Sequence, residues 1–186
     1  MLARMAKTAV LLGTLIVPSG PLYAGPAQAK VSFPQHSRAV APDGRFVIAG
    51  VNSDAEPHHT VFLEDRQLRT RRKLFSYERH IDLLWNPDSK SFSLTDYGGS
   101  DYSRCNIISV DQAVPTIQVW DELLEALTEK ERKSLLENDH VYIAAVRWIS
   151  ASALKVKVWG YGDVNPSGFT HFYSYDTKCR IKRLIN

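Results

Sequence analysis

The chain has 186 residues, with 23 Lys and Arg against 20 Asp and Glu, for a formal charge of +3. That length suits one domain with a real core plus a short extra segment. A balance so near neutrality supplies no global field to draw the molecule onto nucleic acid, and no nucleic-acid partner is expected.

Residues 1–29 read as a secretory leader. Arg4 and Lys7 form a basic start, Ala9 to Val17 an apolar run, and Pro18-Ser19-Gly20-Pro21 stops any helix. The apolar run is about half the length that crosses a bilayer, so no membrane span is expected in the mature form. Ala27-Gln28-Ala29 is the preferred cleavage site and Leu22-Tyr23-Ala24 the second choice. No cysteine lies beside either one to take a lipid. The mature domain, residues 30–186, then carries 21 basic against 20 acidic side chains, because only Arg4 and Lys7 are lost. Its expected location is periplasmic or secreted. In such a compartment Cys105 and Cys179, which lie outside any CxxC or His-rich spacing, are expected to form one disulfide.

Along the mature chain, strands are predicted at Phe46–Val51, Thr60–Leu63, Leu74–Tyr77, Ile81–Trp85, Ser91–Thr95, Asn106–Val110, Val141–Ile149, Leu154–Trp159 and Phe169–Tyr175. Several alternate cleanly, as Leu154, Val156 and Val158 do against Lys155 and Lys157. One amphipathic helix is predicted over about 121–138, with Leu123, Leu124, Leu127, Leu135 and Leu136 as its stripe, Asp121 as its cap and Asn138 at its end.

A repeat runs through these elements. Ala41-Pro42-Asp43-Gly44-Arg45 and Asn86-Pro87-Asp88-Ser89-Lys90 each lead into an apolar strand, with their Asp residues 45 positions apart. Pro presets the turn and Asp bonds the backbone beyond it. Trp148 to Leu154 occupies the place of Trp85 to Ser91 as a third, degenerate copy, 63 positions further on, and the helix accounts for the excess. The units end alike in Phe62-Leu63-Glu64-Asp65, Ile108-Ser109-Val110-Asp111 and Tyr173-Ser174-Tyr175-Asp176.

On these residues the chain resembles the TolB-like, or Pro-Asp-Gly-type, β-propeller repeats, relatives of the WD repeat, over roughly Val40 to Asp176. The resemblance implies four-stranded antiparallel blades arranged radially. Families of this kind mostly bind other macromolecules, and a minority are enzymes. Three units are fewer than the four a ring usually needs. The expected fold is therefore mainly β, built from antiparallel hairpin repeats as a partial propeller or curved open sheet with one inserted helix. A sandwich, a further divergent blade or association of chains stay open, as does the oligomeric state.

Corresponding loops of repeated units fall on one edge. The expected binding rim therefore gathers Asp54, His58, His59, Tyr97, Asp101, Tyr102, Tyr161 and Asp163, since tyrosine gives large contact area at small entropic cost. His58 and His59 point to opposite faces if they lie in a strand, so no metal site is expected, and no cofactor either. Arg66, Arg69, Arg71, Arg72 and Lys73 form a basic run suited to a solvated edge or an acidic partner. Gly98-Gly99-Ser100-Asp101 lacks the closing glycine of a nucleophile elbow, and no HExxH occurs. The expectation is an exported, non-enzymatic envelope protein that holds a protein partner, of inhibitor or immunity type. The alternative is a small secreted hydrolase or carbohydrate-active enzyme using rim carboxylates such as Asp101 and Asp163.

Overall fold

The two Pro-Asp turns fold identically. Gly44 N–H donates to the Ala41 carbonyl and Ala41 N–H to Phe46, as Ser89 N–H does to Asn86 and Asn86 N–H to Ser91, all at 2.9 Å. Each Asp carboxylate accepts the amide two residues on, Arg45 in one turn and Lys90 in the other, again at 2.9 Å. Both turns need a left-handed fourth residue, with φ of 74° at Gly44 and 61° at Ser89. Glycine takes that conformation without strain. Ser89 is buried there, and its hydroxyl accepts the Asp43 amide, which joins the two turns side by side.

The structure is a computed structural model that describes residues 29–54, 59–112, 116–177 and 182–184. Its strands are β1 (Val31–Phe33), β2 (Arg38–Val40), β3 (Phe46–Asn52), β4 (His59–Asp65), β5 (Thr70–Tyr77), β6 (Ile81–Trp85), β7 (Ser91–Asp96), β8 (Arg104–Ser109), β9 (Ile117–Gln118), β10 (His140–Ser150), β11 (Ala153–Tyr161), β12 (Phe169–Asp176) and β13 (Lys182–Leu184). They form three antiparallel sheets, with orders β2-β3-β4-β5, β1-β6-β7-β8-β9 and β10-β11-β12-β13. All nine predicted strands are present. β5 starts four residues early, inside the basic run, and β1, β2, β9 and β13 are too short to have shown a period.

The predicted single helix is corrected to two. α1 (Val119–Ala126) and α2 (Glu129–Leu136) are separated by Leu127 and Thr128, both extended. Thr128 is the reason: its hydroxyl accepts the Glu131 amide while the Glu131 carboxylate accepts the Thr128 amide, a capping box that starts a new helix. Asp121 is therefore not a cap but an acid in the first turn of α1, where it complements the helix dipole. Asn138 does end α2, donating its amide to the Ser134 and Leu135 carbonyls.

The third copy of the repeat is confirmed by equivalent bonds. Trp85 Nε1 donates to Ala39 O on the inner strand of the preceding sheet, and Trp148 Nε1 donates to Leu84 O in the same way, both at 3.1 Å. Each unit also closes on one amide: Arg66 to Arg45 O, Val110 to Lys90 O and Thr177 to Ser152 O. This corrects the sequence alignment of the unit ends, because Asp65 and Asp176 correspond to Ser109 and not to Asp111.

The sheets stack face to face, and their seams are the core. Phe33, Ile48, Val61, Ile81, Leu83, Trp85 and Phe92 fill the first seam. Leu84, Cys105, Ile107, Val119, Leu123, Ile143, Leu154, Val156 and Val158 fill the second, with α1 and α2 covering it. β6 is buried at every position because its sheet is covered on both faces, whereas β11 alternates. The outward faces of the end sheets carry charge. Arg38 and Arg71 flank Glu64 at 2.6 and 3.6 Å on the first sheet, and Lys155 and Lys157 lie over Phe172 and Trp159 on the last. β1 adds to the inner edge of β6, with Ser32 opposite Asp82 and Phe33 wholly buried. That edge would face the channel of a closed ring. Filled and charged in this way, the stack stays open.

The expected disulfide is corrected as well. Cys105 carries a free thiol, 1% exposed, within the second seam, and Cys179 lies outside the described residues. Burial pushes the Cys105 thiol up to about 12, even with Thr95 and the Ala145 backbone hydrogen-bonded to it.

Candidate functional site

Opposite the Pro-Asp turns, the other ends of the strands make the rim. Its pieces are the β3–β4 tip, the end of β5, the residue before β6, the β7–β8 loop, the start of β10 and the β11–β12 loop. The alternating strand directions alone bring them to one edge. Histidine–tyrosine ring contacts mark it in every sheet, tilted in the first and stacked in the other two. His59 and Tyr77 have ring centroids 5.0 Å apart, His80 and Tyr97 4.2 Å, and His140 and Tyr161 4.4 Å. The last two pairs occupy corresponding places, across from each other at the open end of the two inner strands of their sheets.

Around the start of β10 the rim is tightly built. Val141 N–H donates to Asp101 O at 3.0 Å, Tyr102 bridges to Val141, and Tyr142 Oη donates to Ser100 O at 2.5 Å. The Asp163 amide reaches Asp139 Oδ2 at 3.4 Å. Asp101, Tyr102, Tyr161 and Asp163 are thus gathered on one surface, with Tyr102 41% and Tyr161 48% exposed and Arg104 set over the Tyr102 ring. The Tyr142 phenol is raised by burial first, then by Tyr161 and Asp101, which places all three within one electrostatic neighbourhood.

The first sheet supplies the other end of the rim. Asp54 is exposed at the β3–β4 tip, His58 lies outside the described residues, and His59 Nδ1 is 3.0 Å from Asn52 Oδ1. Tyr97 differs from its expectation. It is an anchor behind the tip, donating Oη to Asp82 Oδ2 at 3.2 Å, and burial followed by the Asp82 charge raises its phenol. Asp82 is also held by Ser32 and Lys30; against its burial, these partners lower its carboxyl.

Three further residues, Asp96, Tyr77 and His140, belong to this edge. Asp96 ends β7 at the first seam, where burial raises its carboxyl against the pull of Arg104 and His80. Burial, then the Asp96 charge, raises Tyr77 to about 12. Asp96 Oδ1, Tyr77 Oη and His140 Nδ1 are all buried at this edge without a hydrogen bond among the described residues. Buried polar atoms normally have partners, so these three are exceptions, Tyr77 and Asp96 at the first seam and His140 in the third sheet. Aligning the second and third units could have shown His80 and His140 as a pair. Their distances to Trp85 and Trp148 differ, because β10 runs 11 residues against five for β6 and carries bulges. Among the described residues, no group of three His, Cys, Asp or Glu could hold a metal ion, and no helix is long and apolar enough to cross a membrane.

Stacked four-stranded meanders joined by repeated turn and Trp bonds define a β-propeller-like repeat protein. No family model matches the chain, and no curated protein matches it in sequence. Among solved structures, it is similar to the β-propeller domain of the Trilobed protease from Pyrococcus furiosus, described as having an open velcro topology. The likeness has a TM-score of 0.54 at 10% identity and covers 81% of this chain and 43% of that one. At that identity the shared property is the fold.

Proposed function

We propose that this chain is an exported, non-enzymatic binding protein of the bacterial envelope, with blades of the TolB type, that engages a protein partner through its His–Tyr rim. The observation that carries the reading is the pair of large exposed rings, Tyr102 and Tyr161, brought to one rim beside the exposed Asp101 and Asp163. A partner surface that covers the rim buries both rings. Aromatic anchors of this kind dominate binding energies. The leader and the periplasmic or secreted location belong to the same proposal, as does the inhibitor or immunity role.

The test is capture by the tagged mature form from its native envelope. Tyr102→Ala and Tyr161→Ala should each weaken capture of the recovered protein by about tenfold or more. Asp101→Asn and Asp163→Asn should leave most of it. The competing reading, a small hydrolase, draws on the raised carboxyl of Asp96. It gains the case if the purified protein comes out alone, cleaves wall fragments, and loses that turnover in Asp96→Asn, Asp101→Asn or Asp163→Asn.

A further inference from the structure

The basic run takes no part in the rim, yet part of it lines a groove. At the Pro-Asp-turn end, between β5 and β8, a groove of about 590 Å³ is bordered by Arg45, Arg71 and Arg72 over a floor of Phe46, Leu63, Leu68 and Val110. It continues into a second hollow of about 430 Å³, bordered by Arg72, Lys73, Ser109 and Thr116. Asp111 and Gln112 border both.

Arg45 is held by Asp65 and Arg71 lies 3.6 Å from Glu64 on the outward face, which leaves Arg72 and Lys73 as the further cations of the groove. Asp65 is gripped by Arg45, whose Nη2 donates at 2.6 Å and Nε at 3.1 Å. Arg72 reaches the Ser109 and Val110 carbonyls through Nη2 alone, at 3.3 Å, so its other donors face the groove. Lys73 is exposed and has no hydrogen bond or ion pair among the described residues. The strand that carries them is also unpaired on one side, since β5 bonds only to β4 among the described strands.

Cationic side chains along an edge strand repel stray neighbours. The same charges attract a strand that brings carboxylates of its own. We propose that this groove binds an extended acidic segment of a protein partner, laid as an added strand along β5. Its carboxylates meet Arg72 and Lys73, and its apolar side chains rest on Leu68 and Val110. An unpaired backbone edge recognises polypeptide. The apolar floor further favours a segment that alternates acidic and apolar residues over a plain polyanion. This site is separate from the rim, and neither depends on the other.

A fluorescein-labelled ten-residue peptide of alternating Glu and Val tests it by anisotropy against the purified protein. Binding should saturate and weaken at least tenfold between about 50 and 500 mM salt, where the screening length shrinks severalfold. Lys73→Glu and Arg72→Glu should each weaken it tenfold or more, Tyr102→Ala should leave it unchanged, and amide shifts should cluster on Thr70–Tyr77. Should Arg72→Glu unfold, Lys73→Glu decides, because the exposed Lys73 side chain makes no hydrogen bond or ion pair among the described residues. The proposal is overturned by absence of saturable binding, by equal affinity for a Lys-for-Glu peptide, or by equal affinity for an N-methylated peptide that cannot pair as a strand. It is equally overturned if a sulfated oligosaccharide binds more tightly than the peptide and Lys73→Glu acts on both alike, which describes an anion groove alone.

Discussion

Arg45 and Asp65 show how much one side-chain pair can organise. The guanidinium grips the carboxylate through two nitrogens, and the same carboxylate accepts the Gln67 and Leu68 amides, closing the β4–β5 turn. The Arg45 bond, working against burial and helped by those amides, lowers the Asp65 carboxyl to about 2. An ordinary aspartate in the unfolded chain titrates near about 3.9. The stabilisation is therefore complete above about pH 4 and drains away as the pH falls toward 2, because the unfolded state then binds more protons. Asp82, also lowered, drains in the same direction. Denaturant midpoints taken from pH 7 to pH 2 should fall steeply below pH 4 in the native protein, and Asp65→Asn should start lower at pH 7 and fall less. Cys105 offers a second test. Its buried, high-pKa thiol should resist iodoacetamide in the folded protein and react fully in denaturant without reductant, as read by mass spectrometry.

Among the elements, the long strands and both Pro-Asp turns were legible because each is specified locally, by alternation or by turn chemistry. The break between α1 and α2 was written in Thr128-Glu129-Lys130-Glu131 but hidden by the leucine spacing that runs across it. Thr128→Ala should cost about 1 kcal/mol of stability, measured by urea denaturation. Leu154→Ala, in the sealed second seam, should cost about 2–5 kcal/mol. Of the rim, the tips were readable from their Gly, Asp and Tyr content, and Asp101, Tyr102, Tyr161 and Asp163 do come together. Tyr77, Asp96 and His140 were not readable, since each reads as an ordinary strand end until a neighbouring sheet closes over it. Tyr97 is half-buried for the opposite reason: a loop tyrosine reads as exposed until Asp82 draws its hydroxyl inward.

For the whole molecule, the informative feature is that the described residues form three stacked sheets that do not close into a ring. Both ends of the stack are basic on their outer faces, so head-to-tail stacking of copies brings like charges together, and the protein should sediment as a monomer at low salt. Phe33, from a strand of three residues, is the wedge at the first seam. Phe33→Ala should cost about 3–5 kcal/mol, seen as a shift in the thermal midpoint together with loss of the β1–β6 pairing.

That pairing also fixes an order of assembly. Val31 must wait for Leu83, 52 residues downstream, before it has anything to bind. A chain threaded outward from its first residue would deliver β1 long before its slot exists, while β2 to β5 can zip together at once from neighbouring hairpins. The first of the described strands to emerge is thus the one that locks into place late, and until it does the first seam lies open to water.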